Sequence, residues 1–360
     1  MAQLYTDLYT RRKTTVLPEE VQRIVRSLGI ALQKKSIPSK PVSDYRKLLC
    51  SLPAASMPRA ADELRDVAQL HVGWRGDTSL GASLDPVSAV QQEGWETALD
   101  AEPDLAWLLT FHGNGYARQA ALDALSSPPL CPFEFVAVVY RLNDWVPQVR
   151  DAAKRYAENQ LSEANPETIA ESAFFLIPQM TLFRRWDEQA ASVVRESIYQ
   201  QHVLCELKSK LLAQRGGKVG AVLRLLLKHP DLDSSLEKLA FTAHLPVVRA
   251  IALETLLMGR AQWLVGYRRE WLNKALGISR RAPSFKSRAV HVEFELGRAL
   301  SAGCADKSST VRRVLADFLV SRRDRLTPDM TRVCVELKND QNAAVRSRID
   351  FLDRELAKSR

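Results

Sequence analysis

No CxxC pair occurs anywhere in the 360 residues. The five cysteines, Cys50, Cys131, Cys205, Cys304 and Cys334, are odd in number and widely spaced. That pattern argues against a disulfide framework and favours free, buried thiols in a reducing cytosol. The six histidines form no HExxH and no close pair with cysteine, so spacing marks no zinc site, and only one assembled in three dimensions stays open. The GxxxxGK[ST] spacing that wraps phosphates is missing too; Gly216-Gly217-Lys218-Val219-Gly220 reads as a turn between helices. No GxSxG accompanies His112-Gly113-Asn114-Gly115, which reads as a helix-connecting turn. The carboxylates Asp187 and Glu188, or Glu293 and Glu295, read as solvated helix residues. The sequence therefore assigns no catalytic residue, metal ligand or cofactor.

Long apolar runs are also scarce. The longest charge-free stretches, such as Leu105 to Ala117, run to about a dozen residues, short of the ~20 a spanning helix needs. The N-terminus, MAQLYTDLYTRRK, carries charge where a secretory signal needs an apolar core, so a cytoplasmic protein is expected, with no membrane insertion. With 15 Gly and 17 Pro, the chain is neither collagen-like nor of low complexity. The 46% hydrophobic and 26% charged residues are ordinary for one elongated or two compact domains.

What the chain does have is a repeat. Five segments align: HGNGYARQAALDAL from His112, DWVPQVRDAAKRYA from Asp144, AHLPVVRAIALETL from Ala243, DKSSTVRRVLADFL from Asp306 and DQNAAVRSRIDFLD from Asp340. Each holds a small or β-branched residue before an arginine, at Arg118, Arg150, Arg249, Arg312 and Arg346. Apolar residues then follow at helical spacing, as Val311, Val314, Leu315, Phe318 and Leu319 show best. The arginines at 118 and 150 lie 32 residues apart and those at 312 and 346 lie 34 apart, with the other gaps close to multiples of this unit. Degenerate units fit near Phe183-Arg184, near Lys218-Val219 and around 280 to 290. A unit this short cannot bury its own apolar face, so units must stack.

Between the repeats, Phe133 to Leu142, Glu167 to Leu176, Val203 to Ala213 and Leu232 to Phe241 carry apolar residues at helical spacing. Asn165-Pro166, His229-Pro230-Asp231 and Thr327-Pro328-Asp329 punctuate them. The unit is helix, turn, helix, no strand is expected, and the fold class is all-α.

A turn Asp, a Val-Arg five residues on and an alanine-rich helix resemble the second helix of a HEAT repeat, best at Asp144, Asp306 and Asp340. The resemblance covers roughly residues 100 to 360. It implies a right-handed, armadillo-like α-solenoid of HEAT-like helix pairs and an Asp–Arg ladder between turns. His112 and Ala243 stand at the Asp position, so the ladder breaks there. On this reading the repeat arginines are structural, since each would otherwise sit unfavourably at a helix start.

Residues 1–100 differ. Helices are expected over Pro18 to Lys34 and Pro58 to His71, with a basic connector from Lys34 to Lys40 and a Gly/Ser/Asp-rich loop over 72–86. This region reads as an irregular helical N-terminal cap on the 101–360 solenoid.

Charge is uneven. Lys and Arg exceed Asp and Glu by 10 to 4 in residues 1–50, fall short by 11 to 21 in 51–200, and exceed them by 30 to 17 in 201–360. The densest basic stretch holds Arg260, Arg268, Arg269, Lys274, Arg280, Arg281, Lys286 and Arg288, with only Glu270 opposing them. Trp263, Tyr267 and Trp271 lie four apart within it and are expected on one helix face, with Gly277 to Pro283 breaking the helix and leaving Arg280-Arg281 on a turn. These eight cations are the candidate partner-binding residues.

The leading functional expectation is a non-catalytic scaffold or adaptor that binds an acidic protein partner. The alternative is a nucleic-acid-binding HEAT-like protein, similar to alkylpurine DNA glycosylases, with Trp107, Trp145, Trp186, Trp263 and Trp271 and with Asp144 and Asp187 nearby. No motif of that family maps onto these residues. A chromophore-lyase-type HEAT enzyme has only the repeats in its favour.

Overall fold

The computed structural model describes residues 15–34, 39–71 and 95–358. The expected 72–86 loop, and most of the Lys34–Lys40 connector, lie outside them. The described residues are mostly helical, with one two-stranded antiparallel sheet. The chain divides into two compact units, Met1–Val203 and Leu204–Arg360.

The first unit opens with α1 (Glu19–Gln33), α2 (Ser39–Leu49) and α3 (Met57–Val67). The Glu63 carboxylate accepts the backbone N–H groups of Val16 and Leu17 and so ties the approach to α1 onto α3. A short α4 (Ala106–Leu109) leads into α5 (Gly115–Ala124), α6 (Pro132–Arg141), α7 (Pro147–Gln160), α8 (Pro166–Leu176) and α9 (Glu188–Ile198). Proline stands at the first turn of α6, α7 and α8, where its missing N–H leaves no donor wanting. Arg46 of α2 bonds Asp104 and the fully buried Glu134 of α6, fastening the N-terminal helices to the rest of this unit.

In the second unit follow α10 (Gln201–Ala213, its first residues before the division), α11 (Val219–Leu226), α12 (Leu236–Thr242) and α13 (Pro246–Met258). Strands β1 (Arg260–Asn273) and β2 (Ile278–Ala289) intervene before α14 (Leu296–Ala305), α15 (Ser309–Ser321), α16 (Pro328–Lys338) and α17 (Ala343–Lys358). In each unit the arginine-bearing helices pack on their next-but-one neighbours: α5 on α7 and α7 on α9, then α11 on α13, α13 on α15 and α15 on α17. The alternate helices pair likewise, α6 with α8 and α14 with α16. Val149, Val248, Val311 and Val345 are fully or almost fully buried, each just before its repeat arginine.

Those arginines share one bonding pattern. Arg118 sends Nε and Nη2 to the carboxylate of Asp144, in the following turn, and Nη1 to the carbonyls of His112 and Gly113, in its own. Arg249 does the same with Asp306 and with Ala243 and His244, and Arg312 with Asp340 and Asp306 O. Arg150 and Arg346 keep only the bonds to their own turns. Because the carboxylate is taken from the next turn, Ala243 does not interrupt the Arg249 bond.

The aspartates also shape their turns, each accepting the N–H two residues on: Val146, Ser308 and Asn342. His112 fills this role with imidazole, since its Nδ1 accepts Asn114 N–H at 2.9 Å. Burial, then Arg118, Arg65 and His71, push the His112 pKa down to about 4, which keeps the ring neutral and able to accept.

Candidate functional site

The expectation of no strand fails between Arg260 and Ala289. Gly259 takes a left-handed φ of 63° and ends α13, and Gly277, at 65°, forms the tip of the hairpin. Trp263, Tyr267 and Trp271, expected on one helix face, lie on β1. Arg280 and Arg281, expected on a turn, lie within β2. The degenerate repeat expected around 280 to 290 is likewise this strand.

Register decides which side chains share a face. Leu264 pairs with Phe285, Tyr267 with Pro283, Arg269 with Arg281 and Trp271 with Ser279. A bulge at Val265 shifts the register, so Tyr267 and Trp271 share a face and Trp263 lies on the opposite one. The Trp263 face is the more covered: Ala261 is buried, and Trp263, Gly266, Ala282 and Ser284 are half-buried.

The other face is open. Leu264, Tyr267, Trp271 and Phe285 are each between 41% and 54% exposed, and Leu276 at the tip is 71% exposed. Both of its central arginines lie over rings. The guanidinium carbon of Arg281 is 4.4 Å from the Tyr267 ring centre, and that of Arg269 is 5.4 Å from Trp271.

The eight candidate cations separate into two groups. Arg288 is structural: it bonds Asp233 through both terminal nitrogens, and the carbonyls of Leu227 and His229. It holds β2 to its own unit. Arg280 pairs with Glu270 at 2.6 Å and holds that carboxyl below its usual pKa. Arg260, Arg268, Arg269, Lys274, Arg281 and Lys286 form no ion pair among the described residues, and all six are exposed. Self-repulsion among them is offset by nothing in the hairpin except Glu270.

A second concentration of cations lies in the first unit. Arg65, Arg118, Arg141 and Arg185 line a cavity of about 450 Å³ with Tyr140, Asn143, Asp144 and Trp145. Of the lining, sequence reasoning named only Arg118, Asp144 and Trp145, and Gly113 as part of a turn. Arg65, Arg141 and Arg185 lie outside the repeat arginine position, so periodicity could not find them.

Asp144 cannot serve as a general base in this setting. Its two oxygens accept Arg118 twice, Arg141 at 2.7 Å and Val146 N–H. Burial works to raise its pKa, but the two guanidiniums and the amide outweigh it and hold the carboxyl low. Asp187 caps α9 through Ala190 N–H and pairs with Lys154, and it too is held low.

Among the described residues, Cys50, Cys131 and Glu134 form the one group with metal-ligand proximity. Both Glu134 oxygens already accept from Arg46, and one also takes Leu130 N–H, so this carboxylate is committed to an ion pair. A cation placed beside the Arg46 guanidinium would be repelled. The cluster does not fit a metal. No helix among the described residues is long and apolar enough to cross a membrane.

Comparisons with protein-family models, with curated proteins and with solved structures gave no match.

Proposed function

We propose that the chain is a non-catalytic, HEAT-like repeat scaffold that captures an acidic protein through the open face of its β-hairpin. The repeat reading draws on the 32- and 34-residue spacings and on the Arg–Asp bonds between successive turns. The hairpin reading draws on one observation: Leu264, Tyr267, Trp271 and Phe285 stand exposed on one face with Arg269 and Arg281 among them. Trp, Tyr and Arg around an apolar centre make up the usual energetic core of a protein interface.

The apolar share favours protein over nucleic acid. A basic two-stranded ribbon does fit a major groove. Leu264, Val265, Leu272, Leu276, Ile278 and Phe285, all exposed, would find no partner on a phosphate backbone. An acidic protein with an apolar patch satisfies both kinds of residue.

The double variant Arg269→Glu with Arg281→Glu tests this. Both side chains are exposed, so the melting temperature should stay within about 1–2 °C of wild type, as for most surface changes. Capture of the partner that wild type retains after nuclease treatment should be lost. Unchanged capture would place the binding surface elsewhere, and nuclease-sensitive capture would favour nucleic acid.

A further inference from the structure

We propose that the arginine-lined cavity of the first unit binds a small phosphorylated ligand carrying a flat ring, the chemistry of a nucleoside monophosphate.

Charge comes first. Residues 51–200 carry only 11 basic side chains against 21 acidic ones. Four of those 11, Arg65, Arg118, Arg141 and Arg185, nevertheless line this one cavity. A single carboxylate, Asp144, lies among them, and it is saturated by Arg118, Arg141 and the Val146 amide. Arg65 has Asp62 beside it at 3.2 Å, but that carboxylate is two-thirds exposed and outside the cavity lining. The Arg185 guanidinium has no ion pair among the described residues. Like charges gathered round one cavity repel one another, and an anion among them offsets that repulsion.

Donors come second. Arg141 has its Nη1 on Asp144, while its Nε is buried without any hydrogen-bond partner. A buried charged donor left unmatched is costly, and it leaves the Arg141 guanidinium beside the cavity with Asp144 as its one side-chain partner among the described residues. Burial pushes the Arg141 pKa down to about 10, with Arg118 and Arg65 adding to the shift and only Asp144 opposing it. An anion in the cavity would offset the crowding of Arg141 by Arg118 and Arg65. Phosphate suits guanidinium forks better than chloride, because its oxygens can accept from several at once.

Shape decides the remainder of the ligand. The 450 Å³ volume falls within the range of small-molecule sites and is too confined for a folded partner. Trp145 is 69% exposed at the cavity, with the Arg118 guanidinium carbon 6.0 Å from its ring centre. An exposed indole in a cationic cavity offers a stacking surface for a planar ring. A phosphate at the arginines and a base on Trp145 use both features.

Isothermal titration calorimetry of the full chain at low salt, with AMP, adenosine and inorganic phosphate, tests the assignment. AMP should bind with one site per chain, more tightly than phosphate and far more tightly than adenosine. Arg185→Ala should weaken AMP roughly tenfold or more, the loss of one charged hydrogen bond. Trp145→Ala should bring AMP down to the affinity of phosphate. Both side chains are exposed and make no side-chain hydrogen bond or ion pair among the described residues, and Arg118 stays held by Asp144 without the Trp145 ring, so both variants should melt close to wild type. Arg184→Ala, beside Arg185 but not in the cavity lining, should bind AMP normally. Absence of AMP binding to the wild type, or unchanged affinity in Arg185→Ala, would overturn the site. Equal binding of phosphate and AMP by wild type would overturn the ring.

Discussion

Arg312 and Arg325 are both arginines on the second unit, yet they should behave differently when truncated. Arg312 holds Asp340 through two nitrogens and the Asp306 carbonyl through a third, so its loss leaves the Asp340 carboxylate with only the Asn342 N–H and strips the Asp306 carbonyl of its side-chain donor. Arg325 sits in an exposed turn with no ion pair among the described residues. Arg312→Ala should cost about 1–3 kcal/mol, and Arg325→Ala less than about 0.5 kcal/mol. Equal melting temperatures would show that the inter-turn bonds contribute little. Protonation probes the same turns. The Arg312 hydrogen bond holds the Asp340 carboxyl below the usual range, so its stabilising effect is present above about pH 3.9 and is lost as pH falls toward the depressed folded value. His112 acts earlier. Its folded pKa, about 4, lies below the ordinary 6.5, so the unfolded chain binds the proton more readily and stability falls from about pH 6.5 down to 4. The effect amounts to at most about 3 kcal/mol. His112→Asn retains an acceptor for Asn114 N–H and cannot titrate. Its melting temperature should therefore change less than that of wild type between pH 6.5 and 4, and an identical slope would assign the acid sensitivity to other groups.

The hairpin and the repeat helices show where sequence pattern is and is not sufficient. Val311→Asp, on α15, should destabilise by more than about 3 kcal/mol, because the site is 1% exposed and the new charge would be buried there. A wild-type melting curve would contradict that burial. This helix was legible because Val311, Leu315, Phe318 and Leu319 repeat at helical spacing after a turn aspartate, a strictly local signal. The hairpin was not, because Trp263, Tyr267 and Trp271 at intervals of four fit a helix and a strand alike. One extra residue at Val265 then reverses the face on which the later aromatics fall, which periodicity alone does not reveal. Composition did hold a clue. Gly266, Gly277 and Pro283, with Ser279, Ser284 and Ser287, are poor helix formers gathered in a span rich in aromatics. Of the eight cations, which cluster in the sequence, two are engaged within the molecule, Arg280 with Glu270 and Arg288 with Asp233. Long-range pairing of that kind is invisible in spacing. The same holds for the arginine cavity, whose lining comes from residues as far apart as Arg65 and Arg185.

Across the whole chain, a net charge of +9 conceals an acidic 51–200 and a basic 201–360. The acidic stretch gathers four of its few arginines round a cavity, while the basic stretch displays on one hairpin six exposed cations with no ion pair among the described residues. On the proposals above, the first concentration takes a small anion and the second a macromolecular one. Salt should weaken the second by slowing encounter, with little effect on the stacked and apolar contacts of the bound state. Site-specific photocrosslinking tests the central claim most directly. A benzophenone side chain replaces either Tyr267, on the open hairpin face, or Tyr116, which is 68% exposed in the first unit. After irradiation in nuclease-treated lysate, the Tyr267 position should yield one dominant adduct with an acidic protein, and the Tyr116 position should not. Equal adducts from both positions, or a Tyr267 adduct that disappears with nuclease, would contradict protein capture by the hairpin.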